Sequence, residues 1–121
     1  FAMGCGRLFE GTPATMWASF QRLRDALPDE TKVYCGHEYT HTNARYAAQT
    51  LPDDAAIAER LAVVTAARER GEPTVPTTMA LEKATNPFMR ADDPSVAAAL
   101  GMAGADPVDV FTKLRQGRDG F

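Results

Sequence analysis

Apolar residues recur along this chain mostly at helical spacing, and strand-like alternation is confined to one short stretch. Met16, Phe20, Leu23 and Leu27 repeat every three or four residues behind Thr12 and Pro13, a good N-cap and first-turn pair, and Pro28 closes the pattern. That spacing predicts an amphipathic helix. Lys32, Val33, Tyr34 and Cys35 then mix β-branched and aromatic character and predict a short strand, broken by Gly36 just before His37. Thr40 reads as the cap of a second helix whose small face, Ala44, Ala47, Ala48 and Leu51, suits close packing before "LPDD" stops it. A third helix is expected from about Asp54 to Arg70, with Ile57, Leu61 and Val64 buried, Arg60, Arg68, Glu69 and Arg70 wet, and Gly71 as the stop.

The proline-rich connector "GEPTVPTT" leads to a short helix over Thr78 to Thr85 that Asn86 and Pro87 end. Two further helices share one start signal: Asp93 and Pro94 open the first, with Gly101 as its stop, and Asp106 and Pro107 open the second, with Gly117 as its stop. Their cores differ, so the similarity is one of capping chemistry and not a repeat. Strand and helix alternate before "LPDD" and everything after it is helical. A boundary between an α/β part and a helical part is therefore expected between His37 and Asp54.

Composition narrows the class. With 121 residues, 45% hydrophobic and 24% charged, the chain supports a modest core and is not of disordered composition. A formal charge of -3 and an acidic pI near 5.3 argue against a nucleic-acid partner. The most apolar run, Val96 to Ala105, is about half the roughly 20 residues that span a bilayer. Two cysteines, Cys5 and Cys35, are too few for a disulfide framework and favour a reducing compartment, with a single Cys5–Cys35 bridge as the alternative. The opening "FAMGCGRLFEG" lacks a starting Met or a helix cap and reads as a cut from a longer chain.

Chemistry concentrates at "GHEYTH". A lone histidine at a strand end reads first as a hydrogen-bonded structural residue, and a metal ligand needs partners. His41, the second histidine, lies four residues on, but Gly36 and Thr40 start the helix too late for both rings to share a face. Cys5 with His37 forms a formal thiol and base pair; without further catalytic signature, Cys5 reads as a buried, inert thiol. Arg7 has Glu10 as a nearby partner, and the basic residues of "KLRQGRDGF" suit a helix C-terminus.

Taken together and in order, "GCGRLFEGT", "VYCGHEYT", "PTVPTT", "ATNPFMR" and "DPVDVFTKLRQGRDGF" resemble the C-terminal half of glyoxalase II, the hydroxyacylglutathione hydrolases of the metallo-β-lactamase superfamily. The resemblance implies an α+β fragment, mostly α. Residues 1–38 would be the last strand and helix of the αββα sandwich, and residues 39–121 an all-helical glutathione-binding domain. It implies hydrolysis of S-D-lactoylglutathione to glutathione and D-lactate, in methylglyoxal detoxification in the cytoplasm. His37 would be one ligand of a pair of divalent metals, zinc first, with iron or manganese as alternatives, and the remaining ligands would lie upstream of Phe1. Arg7, Phe9, Tyr39, Arg115 and Arg118 would contact the glutathione moiety; Phe9 stands where relatives carry tyrosine, which removes one hydroxyl.

By that count of ligands the chain alone should bind no catalytic metal and be inactive, its principal partners being the thioester substrate and the missing N-terminal half. The other reading is a stand-alone helical binding or structural module without catalysis. With its sheet absent, the N-terminal part is further expected to expose Met16, Phe20, Val33 and Tyr34, and so to be poorly ordered or self-associated.

Overall fold

A computed structural model describes residues 1–121. It is mostly helical, with six α-helices and two very short strands. Helix α1, Pro13–Ala26, starts as its sequence predicts: the Thr12 side chain accepts the Thr15 N–H and Pro13 fills the first turn. Strand β1 is only Lys32–Val33, and its antiparallel partner is β2, Thr77–Thr78, at the end of the proline-rich connector. The β-branched Thr77 and Thr78 supply the only strand within reach, so the expected run to Cys35 ends early. Helices α2, Thr40–Thr50, and α3, Ala55–Glu69, form a packed hairpin, with Ala44 and Ala47 fully buried at the close approach.

Helix α4, Met79–Thr85, is capped by Thr78; Asn86 ends it and at once caps a 3-10 helix, Pro87–Arg90, by accepting the Phe88 N–H. Helices α5, Pro94–Ala99, and α6, Pro107–Asp119, begin at Asp93 and Asp106 as read from sequence. Thr40, by contrast, is the first residue inside α2: Tyr39 occupies the cap position and makes no side-chain cap bond.

The core is one cluster. Phe88 and Phe111 lie at its centre, Trp17 and Phe20 of α1 pack on Phe111, and Phe1 meets Phe20 edge-on at 5.4 Å. The expected apolar exposure of the N-terminal part is thus corrected: Phe20 is buried, and Met16 and Val33 are half-buried against the core. Tyr34 alone of the four is exposed. The face of α1 assigned to a missing sheet instead covers α6 and the 3-10 helix, because removing aromatic area from water is worth several kcal/mol whichever element supplies the cover.

Two further expectations change. Arg60, assigned to the wet face of α3, is 93% buried and pairs with Glu82, which is fully buried. Helix α6 also runs through Gly117 to Asp119 instead of stopping there. The glycine serves packing, because a Cβ at 117 would overlap the Tyr46 hydroxyl, which donates to the Leu114 carbonyl at 2.8 Å. Gly117→Ala is therefore expected to destabilise by about 1–3 kcal/mol through overpacking, outweighing the roughly 1 kcal/mol that alanine gains in helix propensity. Thermal melts check the sign, and Tyr46→Phe, which removes the clashing oxygen, should recover part of the loss.

Candidate functional site

Three segments without regular structure and two helices, α2 through Asn43 and α6, converge on a cleft of about 600 Å³, within the size range of small-molecule sites. The first wall is a tight turn over Phe1–Cys5. The Gly4 N–H donates to the Phe1 carbonyl at 2.6 Å, and Met3 takes a positive φ of 58°. Buried side chains hold this strained turn from below: Asn86 Nδ2 donates to the Phe1 and Gly4 carbonyls, Glu82 Oε1 accepts the Met3 N–H, and Asn43 Nδ2 donates to the Ala2 carbonyl. Asn43 presses so closely on Gly4 that any Cβ there would overlap its amide.

The second wall is the stretch after β1. Cys35, Gly36, His37 and Tyr39 all line the cleft, the backbone bending at Gly36 and His37. The His37 and Tyr39 rings stack, with centroids 5.0 Å apart and planes within 5° of parallel. Both residues are exposed, and no protein hydrogen bond occupies either His37 nitrogen. Cys35 Sγ lies 2.9 Å and 3.2 Å from the main-chain nitrogens of Phe1 and Ala2, tying this wall to the first. The third wall, from the segment after the turn, carries Arg7 and Phe9, the latter 88% exposed.

Helix α6 supplies the charged floor. Arg115, Arg118 and Asp119 sit at i, i+3 and i+4 and so share one face. Arg115 is buried; its Nη1 donates to the Cys5 carbonyl, its Nη2 pairs with Asp119 at 2.9 Å, and its guanidinium lies 5.8 Å over the Phe88 ring. Its Nε is buried without a partner. Arg118 donates through Nε to Asn43 Oδ1 at 3.0 Å, which leaves its two terminal nitrogens free of protein bonds. Burial, then the neighbouring Arg115, pushes the Arg118 guanidinium down from its usual range. Asp119 also faces Arg7 Nε at 3.6 Å, so Arg7 pairs across the cleft and not with the nearby Glu10.

All six residues singled out by the resemblance, Arg7, Phe9, His37, Tyr39, Arg115 and Arg118, therefore line one cleft. His41 does not join them: it sits within α2, its Nε2 3.2 Å from the Thr65 hydroxyl. Cys5 is buried and its thiol pushed up to about 11 by that burial, which the nearby Arg115 only partly offsets. Sequence reasoning missed Asn43 and Asp119. The signal for Asp119 was its i+4 spacing from Arg115; Asn43 had none, because its role depends on the turn that folds back onto it.

Three guanidiniums against one carboxylate, with aromatic rings beside them, give this cleft on a mostly helical chain a net positive lining, the chemistry that suits an organic anion. His37 is the imidazole of this set and the residue that the resemblance assigns to a metal. It is exposed and unbonded, but no group of three or more His, Cys, Asp or Glu surrounds it that could complete a metal site.

A family profile described as "Hydroxyacylglutathione hydrolase C-terminus" matches residues 38–121, and the chain belongs to that family. Among its relatives, the hydroxyacylglutathione hydrolase of Maricaulis maris (strain MCS10) is 57% identical over the whole chain, which covers 47% of that protein. The enzymes of the same name from Ruegeria pomeroyi (strain ATCC 700808 / DSM 15171 / DSS-3) and Jannaschia sp. (strain CCS1) are 56% and 58% identical over 99% of the chain, covering 47% and 46% of their length. The chain spans about half the length of the curated relatives it matches. No helix in it is long and apolar enough to cross a membrane.

Proposed function

We propose that this chain is the glutathione-binding half of a metal-dependent hydroxyacylglutathione hydrolase, and that the whole protein cleaves S-D-lactoylglutathione to glutathione and D-lactate in the cytoplasm. In this reading residues 1–38 complete the metallo-β-lactamase-like domain and residues 39–121 form the helical domain, a division supported by the family match beginning at residue 38. One observation carries the proposal: Arg7, Arg115 and Arg118 converge with Tyr39, Phe9 and His37 on one cleft, which suits a tripeptide with two carboxylates and a reacting thioester end.

Within it, Arg118 offers its free terminal nitrogens to a glutathione carboxylate, and Arg115 and Arg7, neutralised in part by Asp119, set the surrounding charge. The Tyr39 hydroxyl and the Phe9 ring flank the peptide. His37 offers an imidazole nitrogen to one metal, and the remaining ligands come from the missing half. When bound, two divalent ions supply carbonyl polarisation and an activated water. Imidazole with carboxylate partners suits zinc, iron or manganese.

Calorimetric titration of the chain with glutathione tests the reading. Millimolar or tighter binding is expected, weakening as salt rises because the contacts are ionic. Equal affinity for glutathione and for a simple dicarboxylate such as succinate would reduce the cleft to an unselective anion site and overturn the proposal.

A further inference from the structure

Between the end of β1 at Val33 and the start of α2 at Thr40 the chain has no ladder or helix to direct its side chains, yet His37 and Tyr39 emerge with parallel rings. Gly36 does not fix that direction, since a Cβ built there would meet nothing within 4 Å and glycine is the least restricted residue. Glu38, between the two rings, points the opposite way. Its Oε1 accepts the Thr74 main-chain N–H and its Oε2 the Thr74 hydroxyl, both at 2.6 Å. The connector carrying Thr74 is itself anchored: Arg68 Nη1 donates to the Glu72 carbonyl at 2.9 Å, and β2 pairs with β1 just beyond. Arg68 Nη1 also stands 3.9 Å from Glu38 Oε1, adding a cation on the same side.

We infer that Glu38 is a positioning residue: clamped on Thr74 of the connector, it holds the 34–39 segment so that His37 and Tyr39 both face the cleft with stacked rings. The segment bends at Gly36 and His37, and Tyr39 has φ -102° and ψ 4°, so no strand alternation directs these side chains. Two charge-assisted bonds on Glu38 instead pin the backbone between His37 and Tyr39, and with it the directions of both rings. The consequence for ligand binding rests on the proposed function, in which Tyr39 contacts glutathione; the consequence for ring geometry does not.

The experiment compares wild type, Glu38→Ala, Glu38→Gln and Thr74→Val in this chain. Proton NMR reads the His37 ring signals, shifted upfield by the stacked tyrosine, and calorimetry reads glutathione affinity. Glu38→Ala should return the His37 signals to unstacked positions and weaken glutathione about tenfold, the scale on which lost outer partners act at ordered sites. Glu38→Gln keeps an acceptor for the Thr74 N–H and should fall between. Thr74→Val removes the hydroxyl bond from the far side, leaves the 34–39 segment untouched, and should reproduce part of the change if Glu38→Ala fails to fold. A merely structural role would lower the melting temperature of these variants while leaving His37 stacked in the folded state, and that result overturns the inference. Absence of glutathione binding by wild type would instead count against the proposed function, with the ring signals still deciding the role of Glu38.

Discussion

Glu82→Ala should lower the melting temperature of this chain by about 10–20 °C, the largest stability loss expected of any single side-chain truncation in it. The Glu82 carboxylate is fully buried and makes four hydrogen bonds. Oε2 accepts from Arg60 Nη1 at 2.7 Å and from the Thr77 hydroxyl at 3.1 Å; Oε1 accepts from the Met3 N–H at 2.9 Å and from Asn86 Nδ2 at 3.0 Å. Truncation leaves the Arg60 guanidinium buried with only the Thr77 and Thr85 hydroxyls for company. An uncompensated buried charge of this kind costs about 3–5 kcal/mol, against a total stability of about 5–15 kcal/mol for an ordinary domain.

The pair itself adds less than that figure suggests, since both groups lost their hydration on folding. Arg60→Met with Glu82→Leu should therefore cost less than the two single changes added together. Circular-dichroism melts of the two single variants and the double variant check this. A Glu82→Ala chain melting within about 2 °C of wild type, less than 1 kcal/mol at this size, would show that the network is not formed as described.

The second large effect falls on binding. Arg118→Ala should weaken glutathione affinity by about 10- to 100-fold, the equivalent of one charge-assisted hydrogen bond, while leaving the fold intact. Arg118 is a half-buried cleft cation with both terminal nitrogens free, and its one protein bond runs through Nε to Asn43. It also stands close enough to Arg115 and Arg7 for their charge to push its own protonation down, beyond what burial does. Arg118→Lys keeps the charge but loses the forked donor geometry, and should recover only part of the affinity. Arg115→Ala is a poorer probe because it also removes the bond to the Cys5 carbonyl, the pair with Asp119 and the packing on Phe88. Calorimetry on the three variants separates these cases; wild-type affinity in Arg118→Ala would place the ligand elsewhere.

Where helices begin was legible in the sequence. Thr12, Asp54, Thr78, Asp93 and Asp106 all cap as their residue types predict, because a cap is a bond between neighbours a few residues apart. Gly71 and Gly101, both with positive φ, likewise mark helix ends. The residues of the cleft were legible too, but only as an ordered set of motifs that resemble a family. No local pattern announces that Arg7 and Arg118, separated by most of the chain, face the same space.

Three of the readings that failed share one cause: each residue's role is set by a partner distant in sequence. Arg60 looks like a surface cation on an amphipathic helix until Glu82 is placed beneath it. Gly117 reads as a helix stop, yet it is the gap that admits the Tyr46 hydroxyl. Phe20 looked exposed for want of a sheet, but Phe111 and Phe1 cover it. Local sequence thus determined the helices, their starts and the family, because caps, turns and periodicity act over about one helical turn. Which charges are buried, which glycine makes room and which six side chains share a cleft were decided only when the chain closed on itself. Burial and ion pairing depend on distance in space, and the sequence alone does not contain it.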